Sequence, residues 1–504
     1  MIPLPPQTAD LVAAGLRLVY FLVLCGLALY GGLGLYTLFL FRRMRRQVHF
    51  RPEAAPPPPR PDDWPTVTVQ LPIYNERYVV ERLVTAAVNL DYPRGRLEIQ
   101  VIDDSNDDTR ELTGRLVTRF REQGHDIRLV TRPERSGYKA GALAAALAQA
   151  QGEFIAVFDA DFQPGPEFLR ETIPHFLQDA QVGMVQARWG HLNPEESLLT
   201  AAQAIALDKH FAIEQTVRSE ADLFPKFNGT AGVWRRSCIE AAGGWQADTL
   251  CEDLCLSTRA VLGGWRLRFL PHVVAAAELP ASILAYKNQQ SRWAQGSTQC
   301  LLKFGPAIWR SSQRRAARLY ALLTMSAYAT SMLLLLLLLL QLPMLLLDVR
   351  PETWWIVFGI FGLGQPALFL YSQRLLYPGW QRRLRSLPAL LLVAVGLSVT
   401  LSQAVLRAVT GRQRAFIRTP KQGQGGAVRP YRLPLSMGTF IELLLAAYAA
   451  GGIALALARG NWGPLFFFAT CLVGFGYVGW QGLREGWPGR KIALAHGEPE
   501  KRKV

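Results

Sequence analysis

Cysteine is scarce in this chain: six among 504 residues, Cys25, Cys238, Cys251, Cys255, Cys300 and Cys471. They are scattered, and the one close pair, Cys251 and Cys255, has no second Cys/His pair at zinc spacing nearby. A disulfide framework and a zinc module are therefore excluded, and the thiols read as reduced. Acidic residues are also few, 39 Asp+Glu against 55 Lys+Arg, giving a net charge of +16. Charge of either sign, 19% of the chain, is missing altogether from runs of about 20 residues at both ends. With half of the residues hydrophobic, this excludes a disordered or collagenous chain. What remains is an integral membrane protein with an internal soluble domain.

Leu18 to Phe41 carry no charge and are followed by Arg42, Arg43, Arg45 and Arg46, which predicts a spanning helix with its C-terminal end in the cytoplasm. Residues 51–65 contain Pro56 to Pro59 and read as a stiff linker. After the soluble domain, Leu319 to Leu347 and Thr353 to Gln373 read as a hairpin of two spans, with Arg374, Arg382, Arg383 and Arg385 on the cytoplasmic side. Ser386 to Leu406 is long enough to span. Spanning, however, would export Arg407, Arg412, Arg414, Arg418, Lys421, Arg429 and Arg432 together with the basic tail from Arg484 to Lys503. The expectation is that this stretch lies along the inner interface or re-enters, leaving five spans, the last two near Met437 to Ala458 and Trp462 to Leu483. The positive charge is then a topology signal, and no nucleic-acid partner is expected.

From about Thr66 to Pro271, short apolar strands (Thr66 to Pro72, Leu97 to Ile102, Ile127 to Val130, Phe154 to Phe158, Val182 to Ala187) alternate with helical patterns (Glu81 to Leu90, Arg110 to Glu122, Ala140 to Ala150). This alternation predicts an α/β domain with a mainly parallel sheet, whose ligands bind beyond the carboxyl ends of the strands. Acidic residues gather at those ends: Asp103 and Asp104, Asp159 and Asp161, then Glu252 and Asp253 beside a helix start. A lone aspartate there is usually a cap or turn residue. The carboxylates of Asp159 and Asp161 are two residues apart, so extended geometry would point both to one side, as a divalent ion bridging a diphosphate requires. Lys139, in Gly137 to Gly141, sits where a loop enters a helix and is placed for phosphate oxygens, although a solvated turn would look the same. On a helix, Gln289, Arg292 and Trp293 share a face at i, i+3 and i+4. Arg292 offers a fork to a leaving diphosphate and Trp293 a flat apolar surface to a sugar ring.

The order Asp-Asp, Asp-x-Asp, Glu-Asp, Gln-x-x-Arg-Trp resembles the processive membrane glycosyltransferases of family 2, the cellulose synthase superfamily. Leu71 to Arg77, Phe158 to Pro164, Val185 to Trp189 and Phe227 to Arg235 look like the cellulose synthase-like A and C branches and their bacterial relatives. The similarity runs from about Val67 to Gln299. Phe416 to Lys421 resembles the gating loop of that family. Cys251 stands where the family usually has Thr before Glu-Asp, and Ser105, not glycine, follows the first acidic pair.

The resemblance implies a cytoplasmic GT-A type nucleotide-sugar-binding domain at residues 66–280, set between an N-terminal transmembrane helix (1–50) and a C-terminal transmembrane region (318–504). Interfacial helices at 281–317 would carry the Gln-x-x-Arg-Trp motif. Asp253 is expected to be the catalytic base, with Asp159 and Asp161 holding Mg²⁺ or Mn²⁺. Tyr74, Glu76, Asp103, Asp104, Lys139, Gln289 and Arg292 are expected to bind the nucleotide sugar. Asn228, Gly229, Thr230, Glu252 and Trp293 are expected at the acceptor, and Phe416, Arg418, Thr419 and Lys421 in the gate. The implied activity is inverting transfer of glucose or mannose, from UDP-glucose or GDP-mannose, to a growing β-linked polysaccharide that the chain also translocates. The alternatives are transfer of a single sugar to a lipid acceptor and a receptor or transporter that only senses a nucleotide sugar. The lipid bilayer is the other partner and a homo-oligomer is allowed. The expected location is a bacterial inner or plasma membrane.

Overall fold

The computed structural model describes residues 6–45, 58–412 and 435–486. Eight strands form one sheet: β1 (Val67–Ile73), β2 (Leu97–Asp103), β3 (Ile127–Val130), β4 (Phe154–Val157), β5 (Phe162–Pro164), β6 (Val182–His191), β7 (Gly232–Arg235) and β8 (Arg266–Ala277). Their order is β3-β2-β1-β4-β7-β6-β8-β5. The first half is parallel: β1 pairs with β2 and β4, and β2 with β3. Every residue of β2 is buried, as expected of a strand covered on both faces. Register is reinforced by polar pairs inside the sheet. Thr68 Oγ1 donates to Glu98 Oε2 at 2.6 Å and Gln70 Nε2 to Gln100 Oε1 at 3.0 Å, between residues that are partners across β1 and β2.

The second half departs from the parallel expectation. β7 runs antiparallel between β4 and β6, and β5 antiparallel to β8, while β6 and β8 are parallel. β5 and β7 are only three and four residues long, too short for a periodic signal. β8 carries Pro271 and His272 inside it, which break the apolar pattern.

One face of the sheet is covered by Leu83, Val84, Leu116, Phe120, Leu169 and Phe176. The other is covered by Leu143, Ala146, Ile239, Leu256 and Ala260, and this core continues without a break into Phe41, Phe304, Tyr320 and Leu368, which belong to helices outside the sheet domain. At about 25 cal/mol per Å² of apolar area, that shared core fixes the domain against those helices.

Among the described residues, five helices are long and apolar enough to cross a membrane: Asp10–Met44, Ala329–Leu346, Thr353–Leu376, Met437–Ala458 and Leu465–Gly486. The chain is thus a multi-pass membrane protein. The stretch expected as one span from Leu319 is two helices, Arg315–Met325 and Ala329–Leu346. At the break, Ser297 Oγ donates to Met325 O at 3.0 Å and Ser326 Oγ meets Tyr30 Oη at 2.9 Å, so side chains satisfy backbone and hydroxyl groups where the helix stops. The stretch expected at the interface consists of Trp380–Gly396 and Ser398–Val409, bent by 43°; counted as one span, it would make six.

The 28-residue helix Ile283–Arg310 ties the sheet domain to the last two spans. Glu485 accepts from Ile283 N and Leu284 N, both at 2.9 Å, a carboxylate cap where the helix dipole favours negative charge. Lys287 forms a buried ion pair with Glu442 at 2.7 Å.

Candidate functional site

A cleft opens beyond the carboxyl ends of β1, β2 and β4 and is closed on its far side by the helix Ile283–Arg310. It brings together Tyr74, Glu76, Asp104, Lys139, Asp159, Asp161, Asn228, Gly229, Glu252, Asp253, Gln289, Arg292 and Trp293, residues that the sequence spreads over more than 200 positions.

Loops after β1 and β2 shape the first wall. Asn75 has φ 55°, and its side chain donates to Asn106 Oδ1 at 2.9 Å and accepts from Asn106 N at 3.0 Å. Asparagine tolerates this left-handed backbone because its short amide bonds locally. Asp104 is held by Arg132 through both carboxylate oxygens. Arg132 also donates to Ser136 O at 2.8 Å and to Tyr138 O at 3.1 Å, so one guanidinium fork fixes the loop that enters the helix Tyr138–Leu147. Asp103, expected at the nucleoside pocket, does not line the cleft. It is 2% exposed and accepts from Ser105 N at 2.8 Å and Thr113 Oγ1 at 2.5 Å, a turn role.

Lys139 lies in the first turn of its helix, behind Gly137 at φ +69°. Its ammonium meets Asp159 Oδ1 at 2.5 Å and Glu252 Oε1 at 3.7 Å and donates to Gly229 O at 2.8 Å. Burial disfavours the ammonium, but Asp159, Glu252 and Asp253 outweigh burial and hold its pKa above the ordinary value. Asp159 and Asp161 are not in extended strand geometry. They occupy the turn between β4 and β5, closed by Phe162 N donating to Asp159 O at 3.0 Å, and both still line the cleft. Burial, aided by Asp161, raises the Asp159 carboxyl despite Lys139. Thr230, expected at the acceptor, is 1% exposed; its Oγ1 accepts from Asp159 N at 2.8 Å and so positions that turn from beneath.

Asp253 stands in the first turn of the helix Glu252–Leu262, and its Oδ1 accepts from Leu254 N at 2.7 Å. Burial and the neighbouring Glu252 push its pKa up to about 7, against Lys139 and Lys226. Two glycines let backbone approach here. Gly229 has φ +85°, and a Cβ there would lie 3.2 Å from Asp253 Oδ2. A Cβ on Gly296 would lie 2.4 Å from Cys251 Sγ, so the Gln-x-x-Arg-Trp helix rests directly on the residue before Glu252.

Among the cleft residues with no role assigned from sequence, Arg135, Trp189 and Cys251 carry chemistry. Arg135 lies 3.4 Å over the Tyr74 ring; its signal was the basic pair Arg132 and Arg135 ahead of Gly137. Trp189 lines the cleft and tilts against Trp293 with centroids 6.4 Å apart, placing two aromatic rings together on one wall. Cys251 also lines it, where burial and the nearby Asp253 hold its thiol well above the usual range. Phe416, Arg418, Thr419 and Lys421 lie outside the described residues.

Among the described residues, no three His, Cys, Asp or Glu side chains converge to hold a metal by themselves. Two carboxylates, Asp159 and Asp161, beside an open cleft match the oxygen-donor set of a divalent ion that takes its other ligands from a diphosphate and water.

The sequence family described as glycosyltransferase like family 2 matches residues 65–296. Glucomannan 4-beta-mannosyltransferase 7 of Arabidopsis thaliana is 33% identical over 438 residues, 82% of this chain and 77% of that protein. Probable glucomannan 4-beta-mannosyltransferase 1 of the same plant is 42% identical over 247 residues, 48% of this chain and 45% of that protein. The chain spans about half the length of four of the curated relatives it matches. A solved mannosyltransferase from Pyrobaculum calidifontis, in complex with GDP-Man and Mn²⁺, is similar in fold with a TM-score of 0.53 and 22% identity, covering 79% of this chain and 100% of that one. These relatives include plant proteins and lend no support to the expected bacterial inner membrane.

Proposed function

The chain belongs to glycosyltransferase family 2, in the cellulose synthase-like branch that holds the glucomannan 4-beta-mannosyltransferases, and from that premise we propose that it is an inverting hexosyltransferase that extends a β-linked mannan or glucomannan from GDP-mannose. The observation that carries this reading is the convergence of Asp159, Asp161, Asp253, Gln289, Arg292 and Trp293 in one cleft beside the membrane helices. The relatives named as mannosyltransferases favour mannose over glucose, and UDP-glucose is the competing donor.

The chemistry follows from the residues. Asp253 takes the proton of an acceptor hydroxyl, whose oxygen attacks C1 of the α-linked donor sugar as the bond from C1 to the diphosphate breaks. The nucleoside diphosphate leaves with the electron pair, and the new linkage is β. Lys139 and Arg292 meet charge developing on the leaving group. Asp159 and Asp161 would hold Mg²⁺ or Mn²⁺, which supplies further positive charge to the diphosphate when bound. Tyr74, with Arg135 over its ring, and Glu76 and Asp104 form the nucleoside end. Asn228, Glu252, Trp189 and Trp293 form the acceptor end. The catalytic domain (66–280) is assigned to the cytoplasmic side, with the product threaded through the chain's own spans.

The test is to incubate membrane vesicles holding the protein with labelled GDP-mannose or UDP-glucose. Ethanol-insoluble polymer from GDP-mannose is expected. Polymer from UDP-glucose alone would replace the donor, and chloroform-soluble product would replace the polymer with a lipid acceptor.

A further inference from the structure

After Lys209 the chain leaves the α-helical path, and His210–Gln215 forms a π-helical turn. A π turn bonds i to i+5 and is common at functional sites. Its consequence here is that His210 and Gln215, five residues apart, reach the same target. In a regular α-helix, positions five apart point about 140° away from each other. His210 Nε2 lies 3.0 Å from Asn228 Nδ2, and Gln215 Nε2 donates to Asn228 Oδ1 at 2.5 Å. Both ends of one carboxamide are gripped, and Asn228 lines the cleft.

The grip has an assigned polarity. His210 Nδ1 lies 2.9 Å from Glu214 Oε2, and a carboxylate only accepts, so Nδ1 carries the ring proton and Nε2 accepts from the Asn228 amide. Burial and Lys226 push the His210 pKa down to about 4, against Glu214, so the ring is neutral. Glu214 is held by Lys209 at 2.7 Å, and Lys209 donates to Gln365 Oε1 at 3.2 Å on the membrane helix Gly364–Leu376. A continuous polar chain thus runs from a membrane helix to one cleft residue.

We propose that His210, Glu214 and Gln215 are positioning residues that lock the Asn228 carboxamide in one orientation, and that this orientation selects the hydroxyl pattern of the sugar acceptor. With one amide hydrogen and one lone pair committed, Asn228 keeps one donor and one acceptor for the substrate. Adjacent hydroxyls of a hexopyranose can satisfy both. A flipped amide would exchange them and mismatch the same sugar. This inference rests on the transferase reading above.

The experiment uses the purified full-length chain in detergent with saturating GDP-mannose and Mn²⁺ and with mannohexaose varied as acceptor. Donor affinity is measured separately by calorimetry with GDP. His210→Ala is expected to lower kcat/KM for mannohexaose about tenfold, the scale of one lost buried hydrogen bond, with GDP affinity unchanged within about twofold. His210→Gln, whose Oε1 can take the place of Nε2, should recover most of the loss. An inactive His210→Gln with intact GDP binding, a parallel fall in GDP affinity, or unaltered acceptor kinetics in His210→Ala overturns the proposal. Absence of transfer by the wild type overturns the transferase reading itself.

Discussion

Asp253 combines a position in the cleft beside Gly229 with a pKa near neutrality. A general base works only when ionised, and its ionised fraction grows as pH rises through the pKa. The acid limb of the kcat/KM profile should therefore have its midpoint near pH 7, about where burial and Glu252 place this carboxyl. A limb near the ordinary aspartate range would contradict the assignment. Asp161→Asn separates a second role. It should weaken Mn²⁺-dependent donor binding, read by calorimetry, by about tenfold or more, since a neutral amide is a poor ligand for a hard cation. Equal donor affinity with and without the carboxylate would remove Asp161 from the metal site.

At the scale of elements, the helix Ile283–Arg310 carries the site to the membrane. Gln289, Arg292 and Trp293 face the cleft, while Lys287 turns to Glu442, and the pair is 5% and 0% exposed. Lys287→Ala would remove the ion-pair partner of the buried Glu442, at a cost of about 3–5 kcal/mol. The Tm of the detergent-solubilised protein should drop, and the double variant Lys287→Met, Glu442→Leu should regain most of it. An unchanged Tm in the single variant would show that the pair does not anchor the helix. This element also marks the limits of reading the sequence. The i, i+3, i+4 spacing of Gln289, Arg292 and Trp293 gave the cleft face directly, and uninterrupted apolar runs gave β1 to β4. Lys287 with Glu442 and Glu485 with Ile283 are separated by more than 150 residues, and no local pattern pairs them. Asp103 and Thr230 carried the right residue type for substrate contact, but Asp103 accepts from Ser105 and Thr113, and Thr230 from Asp159 N. The π turn at His210 left no trace in hydrophobic periodicity.

For the whole molecule, the sheet domain shares one core with the spans Asp10–Met44 and Thr353–Leu376, which ties the cleft to the membrane helices. The orientation inferred from Arg42, Arg43, Arg45 and Arg46 places the turn at Asp348, Pro351 and Glu352 on the opposite side of the membrane from that cleft. A cysteine at Pro351, in a background without native cysteines, should react with an impermeant thiol reagent in right-side-out vesicles, whereas one at Gln424 should be protected. Labelling of Gln424 would make the bent pair Trp380–Gly396 and Ser398–Val409 a sixth span.

The proposed function puts base-assisted, inverting transfer of mannose to a polymer in one cleft. Its most direct test is to give purified wild type and Asp253→Asn labelled GDP-mannose with Mn²⁺ and a mannan primer, digest the product with an endo-β-1,4-mannanase, and measure GDP binding in parallel. The wild type should make polymer that the mannanase degrades, and Asp253→Asn should keep its GDP affinity with turnover lowered about 10²-fold to 10⁴-fold. Near-normal polymer from Asp253→Asn, or a wild-type product that the mannanase leaves intact, would contradict it.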